Sequence, residues 1–174
     1  MEHGSAFLKS RVSNAVAQHR MLLRALGDHE AQADDARFRD LCFHHIPHMR
    51  ENQRMLEEYQ SQLGAVVGTA EKILGAAFGA ARDLADVARE SDFLRLVGDI
   101  AMARQAGDTF KTFREAGRMM GNRTLQEIGD VGERHQDAYV RDANRLVQHL
   151  FVEYTQGIDG GARKSTGAHL EANP

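Results

Sequence analysis

Apolar residues recur every three or four positions along most of this chain, which is the spacing of one buried helix face. The first stretch with this pattern predicts a helix from about Ser5 to Leu26. Its inward positions are Leu8, Val12, Ala15, His19, Leu22 and Leu26. We expect the helix to stop at Gly27 and Asp28, because glycine is favoured just past a helix end.

A second stretch predicts a helix from Ala33 to Leu63, ended by Gly64. Its inward positions are Phe38, Leu41, His45, His48, Asn52, Met55 and Tyr59. Pro47 lies inside this stretch, where it removes a backbone donor and predicts a kink. Two shorter helices that meet at Pro47 are the alternative.

Two further amphipathic stretches occupy the second half of the chain. Ser91 is the expected N-cap of a third helix that reaches Met120, because serine readily accepts from free backbone N–H groups. Gly121 and Asn122 then predict a turn, and the fourth helix is expected over Arg123–Thr155.

The order of these elements predicts the topology. A helical hairpin is followed by a segment rich in small residues, 65–90, and then by a second hairpin. A single long connection between the second and third helices is the ferritin-like arrangement of an antiparallel four-helix bundle. We therefore expect an all-α bundle over residues 1–156, with a helical crossover at 65–90 and a flexible, glycine-rich tail over 157–174.

Composition and charge narrow the class of protein. The formal net charge of −3 and the absence of a basic stripe argue against a nucleic-acid partner. Cys42 is the only cysteine, which is typical of a reducing compartment. The first residues do not have the pattern of a signal peptide, and the longest apolar stretch, Ile73–Ala81, is too short to span a membrane. We expect a cytoplasmic protein with no membrane partner.

Histidines stand at inward positions that should be apolar, and they are the candidate metal ligands. These residues are His19, His45, His48 and His135. If the first hairpin closes near residues 27–32, His19 lies level with residues 40–42, and we expect it within about a turn and a half of His45. Imidazoles that face a bundle core can hold a transition-metal ion such as iron or zinc. The alternative is that these side chains only hydrogen-bond inside the core and that no cofactor is bound, because no Glu-x-x-His pair accompanies them.

A second candidate metal site involves His44 and His48, and the sequence predicts no catalytic residue. His44 and His48 have the His-x-x-x-His spacing of a hemerythrin-type di-iron site. Such a site needs acidic ligands on other helices, and His135 has no acidic residue four or five positions later.

Acidic and basic residues alternate along the outer side of the second helix, which predicts a solvated face. These residues are Arg50, Glu51, Arg54, Glu57 and Glu58.

Four helical stretches carry a resemblance to a known family. They are His19–Gly27, Gln53–Gly64, Asp99–Met102 and Leu125–Ile128. In these stretches the chain resembles the YciE/YciF-type ferritin-like proteins, a bacterial stress-associated family, over about residues 8–150. The resemblance implies a di-iron centre with carboxylates from helices 1, 3 and 4 and with a Glu and a His from helix 2.

This chain departs from the ligand set that the resemblance implies. His19 occupies the acidic position of helix 1, and His45 and His48 fall in the helix 2 motif. The positions of helices 3 and 4 hold Ala103, Ala106, Gly107, Val131 and Gly132, with Asp130 and Glu133 only nearby. A di-iron centre needs several carboxylates to neutralise two cations, so ferroxidase chemistry is not expected.

The sequence therefore predicts a non-catalytic ferritin-like bundle with a structural or stress-associated role, self-associating as a homodimer. One alternative is a metal-binding ferritin-like protein that uses the histidine cluster. Another is an interaction module in which the small-residue segment Gly64–Ala81 docks a protein partner.

Overall fold

The computed structural model of this chain describes residues 2–64 and 91–157. Its helices are α1 (Glu2–Gln32), α2 (Ala36–Gln62), α3 (Asp92–Met120) and α4 (Arg123–Thr155). The described residues form helices joined by turns, with no strand among them, which confirms the all-α prediction. The predicted crossover and the predicted tail beyond Gly157 lie outside the described residues.

The first helix is longer than its local signals indicate. α1 continues through Gly27 to Gln32, so the predicted stop at Gly27 and Asp28 is wrong. A glycine in a helix costs only about 1 kcal/mol, which packing can offset. The additional turns place His29 against the core, where its Nδ1 donates to Asp99 Oδ2 at 2.7 Å.

The second helix begins at a side-chain cap. The Asp35 carboxylate accepts from the backbone N–H groups of Arg37 and Phe38, in the first turn of the helix, where N–H groups have no carbonyl four residues earlier in the helix. α2 therefore starts three residues after the predicted Ala33. Pro47 lies inside one continuous helix, so the alternative of two helices is wrong.

The bounds of the last two helices agree with the prediction. Ser91 is the N-cap of α3 in extended conformation, although its side chain makes no capping hydrogen bond. Gly121 ends α3 with a φ of 66°, in the left-handed region where a side chain would be strained. The Asn122 side chain then accepts from the N–H of Leu125 and starts α4.

The helices pack as a bundle of two antiparallel hairpins. α1 lies against α2 and α3, and α4 lies against α2 and α3. The core runs between them and is lined chiefly by Leu, Ile, Val, Phe and Ala side chains.

Among residues 2–64 and 91–157, no helix is both long enough and apolar enough to cross a lipid bilayer.

Glycines on α4 bring its backbone unusually close to α3. A Cβ added at Gly129 would lie 2.6 Å from Arg114 Cα and 2.6 Å from the carbonyl oxygen of Phe110. A Cβ added at Gly117 of α3 would lie 2.7 Å from Gln126 Cα. The backbones of α3 and α4 are therefore in direct contact, which fixes the packing of the second hairpin.

Candidate metal site between α2 and α4

Three side chains with metal-binding atoms meet where α2 faces α4. His48 and Glu51 lie one turn apart on α2, and His135 lies opposite them on α4. One donor atom from each of the three residues lies within 4.8 Å of the other two. The ring centroids of His48 and His135 are 4.6 Å apart, and His135 Nε2 is 4.0 Å from Glu51 Oε2. We call these three residues the α2–α4 triad.

The imidazole of His135 is oriented by a buried amide. Its Nδ1 donates to Asn52 Oδ1 at 2.8 Å, and Asn52 is only 1% exposed. Since an amide oxygen is an acceptor, this contact places the ring proton on Nδ1 and leaves the Nε2 lone pair free. Burial, followed by the nearby His48, lowers the pKa of His135, which favours the neutral ring that a metal requires.

His45 lies beside the triad and is held by a different partner. Its ring centroid is 6.5 Å from that of His48, and its Nε2 donates to Asp142 Oδ2 at 3.2 Å. Burial lowers the pKa of His45, although the bond to Asp142 opposes that effect. The rings of His45 and Tyr139 make an edge-to-face contact, with their centroids 5.3 Å apart. His45 thus flanks the site without joining it.

His19 lies elsewhere in the core, with both ring nitrogens occupied. Its Nδ1 donates to Gln53 Oε1 at 3.1 Å, and its Nε2 accepts from Gln136 Nε2 at 3.2 Å. Burial lowers the pKa of His19 to about 4, partly opposed by the Gln53 contact. The ring is therefore neutral near pH 7, with no lone pair left for an ion.

The predicted nearness of His19 to His45 is wrong. It assumed that the first hairpin closes near residues 27–32. Because α1 continues to Gln32, the chain reverses later, and His19 lies level with Gln53 instead. Of the four predicted metal ligands, the structure brings His48 and His135 together.

Glu51 is a candidate ligand that the sequence pattern did not predict. Its alternation with basic neighbours favoured a solvated helix face, and it is indeed exposed. The available signal was the spacing of His48 and Glu51, because residues three apart on a helix share a face.

The interior does not fit the di-iron centre that the family resemblance implies. At the level of His19 the core holds the amides of Gln53 and Gln136 and the ring of Phe110. A Cβ added at Gly132 would lie 2.5 Å from Phe110 Cε1, so the ring fills the space that a carboxylate from this position of α4 would need. The buried acids of the described residues are Asp35, Asp92 and Asp99.

These buried acids serve local contacts rather than a shared centre. Asp35 caps α2, and its own N–H donates to Asp92 Oδ2 at 2.6 Å. Asp99 accepts from His29 and, at 3.5 Å, from the Tyr139 hydroxyl. Burial raises the pKa of Asp99, against the opposing effect of His29. A pair of bridged cations would find too few carboxylates here.

Searches of protein-family models, curated proteins and solved structures find no match to this sequence.

Proposed function

We propose that this chain is a helical-bundle protein that binds one divalent transition-metal ion through the α2–α4 triad. The observation that supports this proposal is the convergence of three donor groups, from His48, Glu51 and His135, within 4.8 Å. Two imidazoles and one carboxylate suit borderline ions such as zinc or iron(II).

The surroundings of the triad favour an ion over a chance cluster. Two ligands come from one helix and the third from its neighbour, so rigid elements hold all three. The His135 ring offers Nε2 toward Glu51, because Nδ1 is already bonded to Asn52. The exposure of His48 and Glu51 gives an ion direct access from solvent.

The role we propose for the ion is structural. An ion bound by this triad would link α2 to α4, which belong to different hairpins. Because the ligands meet only in the folded chain, binding would stabilise the fold by about 2.7 kcal/mol at a free ion concentration of 100 times Kd. Within residues 2–64 and 91–157 the buried acids are too few for a di-iron centre, and we assign no catalytic residue. A ferritin-like relationship, a stress-associated role and a homodimer remain predictions.

Zinc titration tests this proposal. We expect wild-type protein to bind one equivalent, measured by calorimetry after treatment with a chelator. His135→Gln and Glu51→Gln should each weaken binding by at least about 100-fold, since even the loss of an outer-shell partner costs 10–100-fold. The melting temperature should rise with zinc in the wild type and stay constant in either variant.

His44→Gln is the matched control for this titration. His44 lies on α2 near the triad, is exposed, and its Nδ1 bonds to the Asp40 carbonyl at 2.6 Å. Its replacement should leave zinc affinity unchanged. Equal affinity in the wild type and in both triad variants would contradict the proposed site, as would the absence of binding to the wild type.

A further inference from the structure

Asn52 occupies a place in the core where an apolar side chain would be expected. It is 1% exposed on an inward position of α2, and its side-chain oxygen bonds to His135 Nδ1. Its Nδ2 is buried without a hydrogen-bond partner among the described residues. Burying an unpaired amide N–H costs stability, so packing alone does not account for this residue.

We infer that Asn52 is the positioning residue of the α2–α4 triad and sets which nitrogen of His135 faces the metal. This inference rests on the proposed function. With its oxygen toward the ring, Asn52 keeps the proton on Nδ1 and directs the lone pair of Nε2 toward Glu51 and His48. Without that acceptor, the carboxylate of Glu51, 4.0 Å from Nε2, would favour a proton on Nε2 and so block coordination.

Replacement of Asn52 by an apolar residue should lower the metal affinity without lowering the stability of the metal-free protein. Asn52→Leu has a similar size and removes both the acceptor and the unpaired donor. Its zinc affinity should fall 10–100-fold, while its melting temperature without metal should stay the same or rise. Asn52→Asp retains an acceptor in the same place and should bind zinc at least as tightly as the wild type.

The ring tautomer can be measured without any metal, which separates this inference from the proposed function. In ¹⁵N-labelled, metal-free protein near neutral pH, the imidazole shifts of His135 should report a proton on Nδ1. In Asn52→Leu the proton should move to Nε2. If the wild type shows this pattern and binds no zinc, the proposed function fails and the positioning role of Asn52 toward the His135 ring stands.

Asn144→Leu is the control, since Asn144 lies on α4 and bonds to Arg104 and to the Val140 carbonyl, away from the triad. It should leave the His135 tautomer and the zinc affinity unchanged. A wild-type ring protonated on Nε2, or an Asn52→Leu variant with unchanged tautomer, would overturn the inference. So would equal zinc affinity in Asn52→Leu and a wild type that binds zinc.

Discussion

Replacement of Gly129 by alanine is expected to lower the free energy of unfolding by about 3 kcal/mol, in the upper part of the range for overpacked sites. The new methyl group would lie 2.6 Å from Arg114 Cα and from the Phe110 carbonyl oxygen. Both are backbone atoms of α3, so no side-chain rotation relieves the contact and the two helices must separate. Urea unfolding followed by circular dichroism measures the change.

Gly98→Ala is the matched control for this substitution. Gly98 also lies in the second hairpin, on α3, but a Cβ there would meet no atom within 4 Å. Alanine is favoured over glycine in helices by about 0.5–1 kcal/mol, so this variant should be slightly more stable than the wild type. Equal stability of Gly129→Ala and Gly98→Ala would show that α3 and α4 are not in backbone contact.

The stability of the protein should depend strongly on pH between about 4 and 6.5, because His19 is buried in its neutral form. Burial lowers the pKa of His19 to about 4, from 6.5 when the ring is exposed. Between these values the unfolded chain binds a proton that the folded chain rejects. The free energy of unfolding is therefore highest above pH 6.5. It decreases as the pH falls from 6.5 to about 4, by about 1.4 kcal/mol per pH unit and roughly 3 kcal/mol in all.

His19→Gln is expected to remove this part of the pH dependence. Glutamine retains hydrogen-bonding groups for Gln53 and Gln136 but does not titrate. The comparison must be between variants, because the raised pKa of Asp99 acts in the opposite direction and the lowered pKa of His45 acts in the same one. Urea unfolding at pH 4.5 and 7.5 provides the measurement.

If His19→Gln keeps the pH dependence of the wild type, His19 does not determine the acid sensitivity of the fold.

The helix bounds were predictable wherever the chain carries a local signal. Ser91, Gly121 and Asn122 mark the ends of α3 and the start of α4 through short-range capping and turn preferences. Gly27 carries a similar local signal, but the helix end that it predicted is wrong. The helix continues because His29 contacts Asp99 on α3, which no local pattern reveals. Tertiary packing therefore decided the length of α1.

The candidate site was only partly predictable for a related reason. Helical periodicity identifies which residues share a face, and it placed His135 on the side of α4 that faces α2. The predicted inward position of His48 is wrong, because this side chain is exposed. The height of one helix against another depends on where the hairpin closes, so the error at Gly27 moved His19 to the wrong level. Glu51 was not predicted as a candidate ligand because its side chain is exposed, and the sequence pattern does not show that this exposed face also lies near α4.

Anomalous diffraction at the zinc edge, from crystals of the protein grown with one equivalent of zinc, tests the proposed metal site most directly. We predict one strong peak at about 2.0–2.2 Å from His135 Nε2, a ring nitrogen of His48 and a carboxylate oxygen of Glu51. A strong peak at other residues, or no peak at the α2–α4 triad, would contradict the metal-binding function.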